Sequence, residues 1–299
     1  MSEAQSKTAE LDRLSGLLND ILLDEFSREV LKGSLMAYKA IDNPLRLSQF
    51  STGIRELIGH TLSTLAADDD VKASSWFVVD TPDGRPTRRQ RVKFGIQGGM
   101  TDAAIAALQV DTAEIDVDVR KVVDGLSKYT HVRPDTLKVD ADEAEAFACD
   151  AVATFLEFFE ILDDCRKSIR RAVENGVDEH ALEVFTQDVY NEIDILSTRS
   201  SVDAVQIEKF EVAAIGPAFI TYAVSGQVYV DLSYGSKSDF RNDMGAEIST
   251  DFPFSMTTMA PVGNISQFQN ATARIDTSSW YGDDDDGEGE DLFLKITDY

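Results

Sequence analysis

Histidine is scarce in this chain, cysteine is scarcer, and long apolar runs are missing. No stretch approaches the roughly 18 uncharged apolar residues that a membrane-spanning helix needs. The first residues, Met1 to Leu14, have neither the basic start nor the apolar run of a secretion signal, so a cytoplasmic location is expected. The two cysteines, Cys149 and Cys165, fall within one expected long helix, where the intervening residues would hold them about 24 Å apart. They cannot pair there, and reduced thiols are expected. Cations are also short: 28 Lys and Arg face 54 Asp and Glu, a net charge of −26. That balance argues against a broad nucleic-acid-coating surface and leaves room for a small basic site. The acidity serves solubility, or else meets a basic partner protein.

The standard catalytic signatures are missing as well. There is no phosphate-cradling Gly-rich loop ending in Lys-Ser/Thr, no dinucleotide fingerprint, no zinc-type Cys/His pairing and no nucleophile elbow. Gly95-Ile96-Gln97-Gly98-Gly99 is glycine-rich but lacks the rest of a phosphate loop. Only His60, His131 and His180 can supply imidazole chemistry near neutral pH. None of these features calls for a metal or another cofactor.

What is present is 43% hydrophobic residues in 299, enough for two domains with their own cores. Leu11, Leu14, Leu18 and Ile21 recur at spacings of three and four, which predicts a helix over about Lys7 to Leu23. A second follows from Phe26 to about Asp42. A third runs through Leu47, Ile54 and Leu62, with Asn43 as its N-cap and Pro44 in its first turn. The acidic run Asp68-Asp69-Asp70 should stop it. Further helices are expected from Thr101 to Leu108 and from Glu114 to Tyr129. A long one spans Ala141 to Asn175, with Gly176 as its stop, and another runs from Asp178 to Leu196.

After Ser200 the pattern changes to period two. Val205–Val212, Phe219–Val224, Gln227–Leu232, Phe252–Met259, Ala271–Asp276 and Leu292–Thr297 read as strands. Ser225-Gly226-Gln227 reads as a turn between the second and third of these. The acidic stretch 283–290 reads as a loop, without the spaced ligands of a calcium site. The expected fold class is α+β: a helical domain over 1–198, then a small antiparallel β-rich domain over 199–299.

Two histidines have suggestive neighbours. Arg55 and His60 lie five positions apart on one expected helix. Metal-free RNA cleavage uses an imidazole to move a proton and a cation to stabilise charge on the phosphate. Five residues amount to roughly 140° around a regular helix, so the pair would need a local distortion or a second subunit. Glu56 and His60, at spacing four, equally suit an ordinary surface pair. His131, with Lys128, Tyr129 and Arg133 around it, suits phosphate chemistry or a helix cap. His180, at the acidic start of a helix, is expected at the surface. Arg85, Arg88, Arg89, Arg91 and Lys93 form a basic segment that either docks a nucleic-acid backbone or pairs with the chain's own carboxylates.

Asp42-Asn43-Pro44-Leu45-Arg46, Ser51-Thr52-Gly53-Ile54-Arg55-Glu56-Leu57-Ile58-Gly59-His60 and Gly84-Arg85-Pro86-Thr87-Arg88-Arg89 together resemble the predicted nucleases associated with prokaryotic PIWI (Argonaute-like) proteins. The Arg55-to-His60 spacing and Leu126-Ser127-Lys128-Tyr129-Thr130-His131 also resemble the HEPN superfamily. That group comprises helical bundles, many of them metal-independent ribonucleases used as toxins and antiphage effectors. In this chain Glu56 follows the arginine, where the superfamily usually has Asn, Asp or His. The resemblance implies a HEPN-like helical domain and an endoribonuclease acting in antiphage defence. Arg55 and His60 would be catalytic, with His131 and Arg133 as a second pair. Arg85, Arg88, Arg89, Arg91 and Lys93 would hold RNA. A homo-oligomer would bring two motifs together, and a partner protein of a defence system is expected. The competing expectation is a non-catalytic sensor or adaptor that binds an effector through its acidic surface.

Overall fold

The computed structural model describes residues 3–22, 24–112, 114–187 and 190–281. Helices fill the chain to Asp194, and a four-stranded antiparallel sheet follows from Arg199, so the protein is α+β. It divides into two compact units, Met1–Cys165 and Arg166–Tyr299. The expected strand Leu292–Thr297 and the acidic stretch 283–290 lie outside the described residues.

The first unit is built around one central helix. α1 (Glu3–Ile21) packs on α2 (Glu25–Lys39), and α2 packs on α3 (Arg46–Leu65). α3 buries Phe50, Ile54, Leu57, Ile58 and Leu62, a stripe at spacings of three and four that marks a helix with neighbours on most sides. Asn43 does not cap it. Its Oδ1 accepts from the Leu45 amide at 2.9 Å and closes a turn, and the helix starts only at Arg46. α3 ends at Leu65, just before the acidic run, and a short helix α4 (Asp68–Ala73) begins on that run, because carboxylates suit the exposed amides of a first turn.

The basic segment is also helical. α5 (Arg88–Gln97) opens with a capping box between Thr87 and Gln90 and ends at Gly98, whose φ is +55°. α6 (Asp102–Ala107), α7 (Ile115–Thr130) and α8 (Pro134–Leu137) follow. α3 packs against α5, α7 and α8.

α9 is one helix of 47 residues, Ala141–Gln187, where two were expected. Gly176 fails to break it because buried Ile169, Val173, Val177, Ala181 and Phe185 continue one stripe on both sides. Burial of such a stripe outweighs the roughly 1 kcal/mol that a helical glycine costs. The N-terminal half of α9 serves the first unit: Phe158 lies against Gly95, and Phe147 packs on Tyr129 with ring centroids 4.8 Å apart.

The second unit joins the remainder of α9 and α10 (Asn191–Asp194) to the strands β1 (Arg199–Ile215), β2 (Phe219–Tyr234), β3 (Ala246–Pro261) and β4 (Gln269–Ile275). α11 (Lys237–Arg241) lies between β2 and β3, and a 3₁₀ turn occupies Ser278–Tyr281. The order is β1-β2-β3-β4. Val224, Val228, Val230 and Leu232 of β2 and Phe252, Phe254 and Met256 of β3 fill one face of the sheet. Phe185 of α9 meets Phe254 edge-on at 4.7 Å, which shows that this face is the one the helix covers.

The expected turn at Ser225-Gly226-Gln227 is the middle of β2, paired on both sides. A Cβ on Gly226 would sit 2.0 Å from the Gln206 carbonyl oxygen. Gly226 therefore lets two backbones approach closely and does not reverse the chain. β1 shifts register against β2 three times, at Val202/Ala204, Ile207/Lys209 and Val212/Ala214. Each shift inserts one extra residue as a bulge.

Candidate functional site

Arg55 and His60 are carried on α3 but serve different neighbours. Arg55 Nη1 donates to Thr130 Oγ1 at 3.4 Å, while its Nε and Nη2 donate to Glu56 Oε1 at 3.3 and 2.9 Å. Two turns earlier, Ser48 Oγ donates to the Thr130 carbonyl at 3.4 Å. These contacts tie the exposed side of α3 to the end of α7. His60 lies at the start of α2, its Nε2 3.3 Å from Asp24 Oδ2 and its ring edge-on to Phe26 at 4.8 Å. Asp24 also caps α2 through the Ser27 amide. Burial pushes the Asp24 carboxyl up, but the Ser27 amide and hydroxyl and His60 outweigh that effect and hold it below the usual carboxylate range. The ring of His60 thus belongs to a helix start.

His131 follows Thr130 directly and ends α7 with its side chain in solvent. Its carbonyl accepts from the buried Thr136 hydroxyl at 2.8 Å. The same hydroxyl oxygen accepts from the Arg133 amide at 2.9 Å. Thr136 therefore pins the backbone of 131–133 while the His131 and Arg133 side chains stay exposed. The structure brings Arg55 to Thr130, one residue from His131, and separates it from His60. Helical spacing within α3 is legible in sequence, but the approach of α7 is not.

The basic segment is spread around α5. Arg91 is largely buried; its Nη1 donates to the Ala66 carbonyl at 2.6 Å, and its Nη2 pairs with Asp68. It thereby holds the end of α3 to the start of α4, and it keeps the Asp68 carboxyl below its usual range. Lys93 pairs with Asp102 at 2.7 Å and lies 4.7 Å from the centre of the Trp76 ring. Arg85 contacts Asp83 at 3.5 Å on the surface. Arg88 and Arg89 are exposed. Among the described residues no group of His, Cys, Asp and Glu is placed to hold a metal ion, and no helix is long and apolar enough to cross a membrane.

His180 departs from its expected surface position. Its ring stacks on Phe268 at 4.9 Å, and its Nε2 lies 3.0 Å from Thr258 Oγ1. Thr258 is fully buried and donates its proton to the Gln269 carbonyl, so Nε2 carries a hydrogen and donates to Thr258. Burial holds the imidazole below its ordinary pKa, with Glu183 opposing. The spacing that places His180 on the Val177–Ala181 side of α9 was hidden by the expected helix break.

Sequence reasoning also missed Gln97, Asp102 and Thr112, which share a cavity with Arg89 and Lys93. The cavity forms where the chain leaves α5 at Gly98 and brings Asp102, the first residue of α6, back to Lys93 and Gln97.

A helical unit with a cationic seam, joined to a unit built on an antiparallel sheet, defines the class. A family model described as predicted pPIWI-associating nuclease matches residues 19–155, and a second with the same description matches 162–281. The chain belongs to this predicted nuclease family. The two matches meet close to the division between the compact units. No curated protein and no solved structure matches the chain.

Proposed function

We propose that this chain is an endoribonuclease that cleaves RNA without a metal, with its chemistry on the seam between α3 and α7. The observation that carries this reading is the Arg55–Thr130 contact, which sets a guanidinium one residue from an exposed imidazole. Arg55 would bind the scissile phosphate and stabilise the charge that builds up on it. His131 in its neutral form would take the proton from the 2′-hydroxyl as that oxygen attacks phosphorus to form a 2′,3′-cyclic phosphate, and the 5′-oxygen would leave with a proton from water. Arg133, exposed beside it, would hold an adjacent phosphate. Arg85, Arg88, Arg89, Arg91 and Lys93 are the second group of this proposal: the exposed Arg85, Arg88 and Arg89 would contact RNA, while Arg91, held by Ala66 and Asp68, and Lys93, paired with Asp102, would add to the local positive field.

A HEPN-like role in antiphage defence, in association with a PIWI-like protein, is part of the same reading and draws on the family description. His60, held by Asp24 and Phe26, becomes a positioning residue for α2. Both members of the proposed pair lie in one chain, so a homo-oligomer would duplicate the site without completing it.

The test is cleavage of single-stranded RNA in EDTA. Arg55→Ala and His131→Ala should each slow it by about 100-fold or more. His60→Ala should leave the rate within a few-fold once its effect on stability is corrected for. Full activity in His131→Ala would remove the proposal.

The open face of the sheet supports a second reading, a non-catalytic adaptor. Tyr229, Asp231 and Asp251 surround a shallow depression there together with Asp203, a surface suited to a basic partner. On that reading, Arg55→Ala and His131→Ala would both retain protection in a phage plating assay.

A further inference from the structure

The cavity beside α5 takes no part in the proposed cleavage step, although Arg89 and Lys93, which line it, belong to the basic group of that proposal. It measures about 190 Å³ and is lined by Arg89, Lys93, Gln97, Asp102 and Thr112. Asp102 Oδ1 accepts from Lys93 Nζ at 2.7 Å and from Gln97 Nε2 at 3.1 Å. Lys93, then Gln97, with the field of Arg89, hold this carboxyl below the usual carboxylate range. Two donors converging on one anionic oxygen make an anion position.

Both donors are fixed before any ligand arrives. Gln97 is 3% exposed, and its amide also donates to the Met100 carbonyl at 2.6 Å. Lys93 is held over the Trp76 ring. Trp76 is itself anchored by donating from Nε1 to the Gly98 carbonyl at 2.9 Å. Asp102 is different: its side chain is 77% exposed, so it can rotate into water without leaving a buried group unpaired.

We propose that this cavity binds a phosphate group, one oxygen of which replaces Asp102 Oδ1 between Lys93 and Gln97. Asp102 is then a displaceable internal plug. Phosphate suits the site better than a carboxylate does, because it carries more charge and three acceptor oxygens. Arg89 and the Thr112 hydroxyl are the donors for the remaining two. The volume is below the roughly 300 Å³ of pockets for drug-sized ligands, so it holds a phosphate and its bridging atoms while the rest of a polymer stays outside. Two sources offer this chemistry: free phosphate and the terminal phosphate of an RNA strand. The second rests on the nuclease reading; the first does not.

The experiment is calorimetric titration of the full chain with three probes: inorganic phosphate, a short 5′-phosphorylated oligoribonucleotide, and the same strand with a 5′-hydroxyl. Wild type, Lys93→Met, Arg89→Ala and Asp102→Asn are compared, with circular dichroism to confirm folding. Lys93→Met should weaken binding of the phosphorylated probes by about tenfold or more. Asp102→Asn should tighten it several-fold by removing the competing charge. If Lys93→Met unfolds, the exposed Arg89→Ala carries the same expectation of weaker binding.

Inorganic phosphate bound as tightly as the strand identifies free phosphate as the ligand. Binding of the 5′-phosphorylated strand alone identifies a strand end. Equal binding of the 5′-hydroxyl and 5′-phosphorylated strands excludes the strand end; that result together with no binding of inorganic phosphate, or phosphate binding unchanged in every variant, overturns the proposal. Neither result depends on cleavage. A chain that binds phosphate and cuts nothing refutes only the nuclease reading, and one that cuts RNA without binding phosphate refutes only this site.

Discussion

Gly53 shows how much one missing methyl group decides. A Cβ at this position of α3 would lie 1.9 Å from Ser34 Oγ and 3.1 Å from Ser34 Cβ on α2. Gly53→Ala should therefore destabilise the first unit by about 1–3 kcal/mol, as overpacking of a tight contact does. Adding Ser34→Ala should restore most of that loss, because the remaining contact is only a few tenths of an ångström too close. Denaturant unfolding of the two single variants and the double variant checks the coupling. At the same scale, His180 gives the second unit a pH dependence. Its folded-state pKa is depressed by burial, so the folded state binds fewer protons than the unfolded chain. The stability it contributes is present above the unfolded value of about 6.5 and is lost as pH falls below it. Denaturant midpoints measured downward from pH 8 should fall through that window, and His180→Gln should flatten the fall. Neither effect is legible in the sequence. Ser34 and Gly53 are nineteen positions apart, and the burial of His180 depends on a sheet whose strands come later in the chain.

Single glycines act at the scale of elements in opposite directions. Gly226, read as a turn, lies inside a paired strand against the Gln206 and Glu208 backbones. Since backbone atoms cannot rotate away, Gly226→Ala should cost about 3 kcal/mol or more and separate β1 from β2. Gly176, read as a helix stop, lies inside α9, and a Cβ there would meet Phe268 at an ordinary 3.5 Å. Gly176→Ala should stabilise the protein by about 0.5–1 kcal/mol through helix propensity alone. Melting temperatures of the two variants should move in opposite directions. The sequence showed the helical and strand periodicities and the change between them near Thr198. It did not show which glycines punctuate, because a glycine chosen for close approach and one chosen for a turn look alike in the chain.

For the whole molecule, the two units each contain one of the chain's two tryptophans: Trp76 beside Lys93, and Trp280 against Phe252. Each unit buries its own core, so unfolding should depart from a single two-state transition. Trp280→Phe leaves Trp76 as the reporter of the helical unit, and Trp76→Phe leaves Trp280 as the reporter of the sheet unit. Gly53→Ala should shift the first transition more than the second. The candidate site follows the same division. The cations at Arg55 and Lys93 were visible as residues in the sequence, but their partners Thr130 and Asp102 come from other helices and were not.

The bulges along β1 have a further consequence. Among the described residues β1 forms one edge of the sheet and is 17 residues long, a length that would ordinarily invite another chain to add a strand. Its three register shifts interrupt the even row of free amides and carbonyls that an added strand must match. Among the described residues, the irregular pairing with β2 makes this edge a poor template for an added strand, and straightening β1 by deleting a bulged residue should make it a better one.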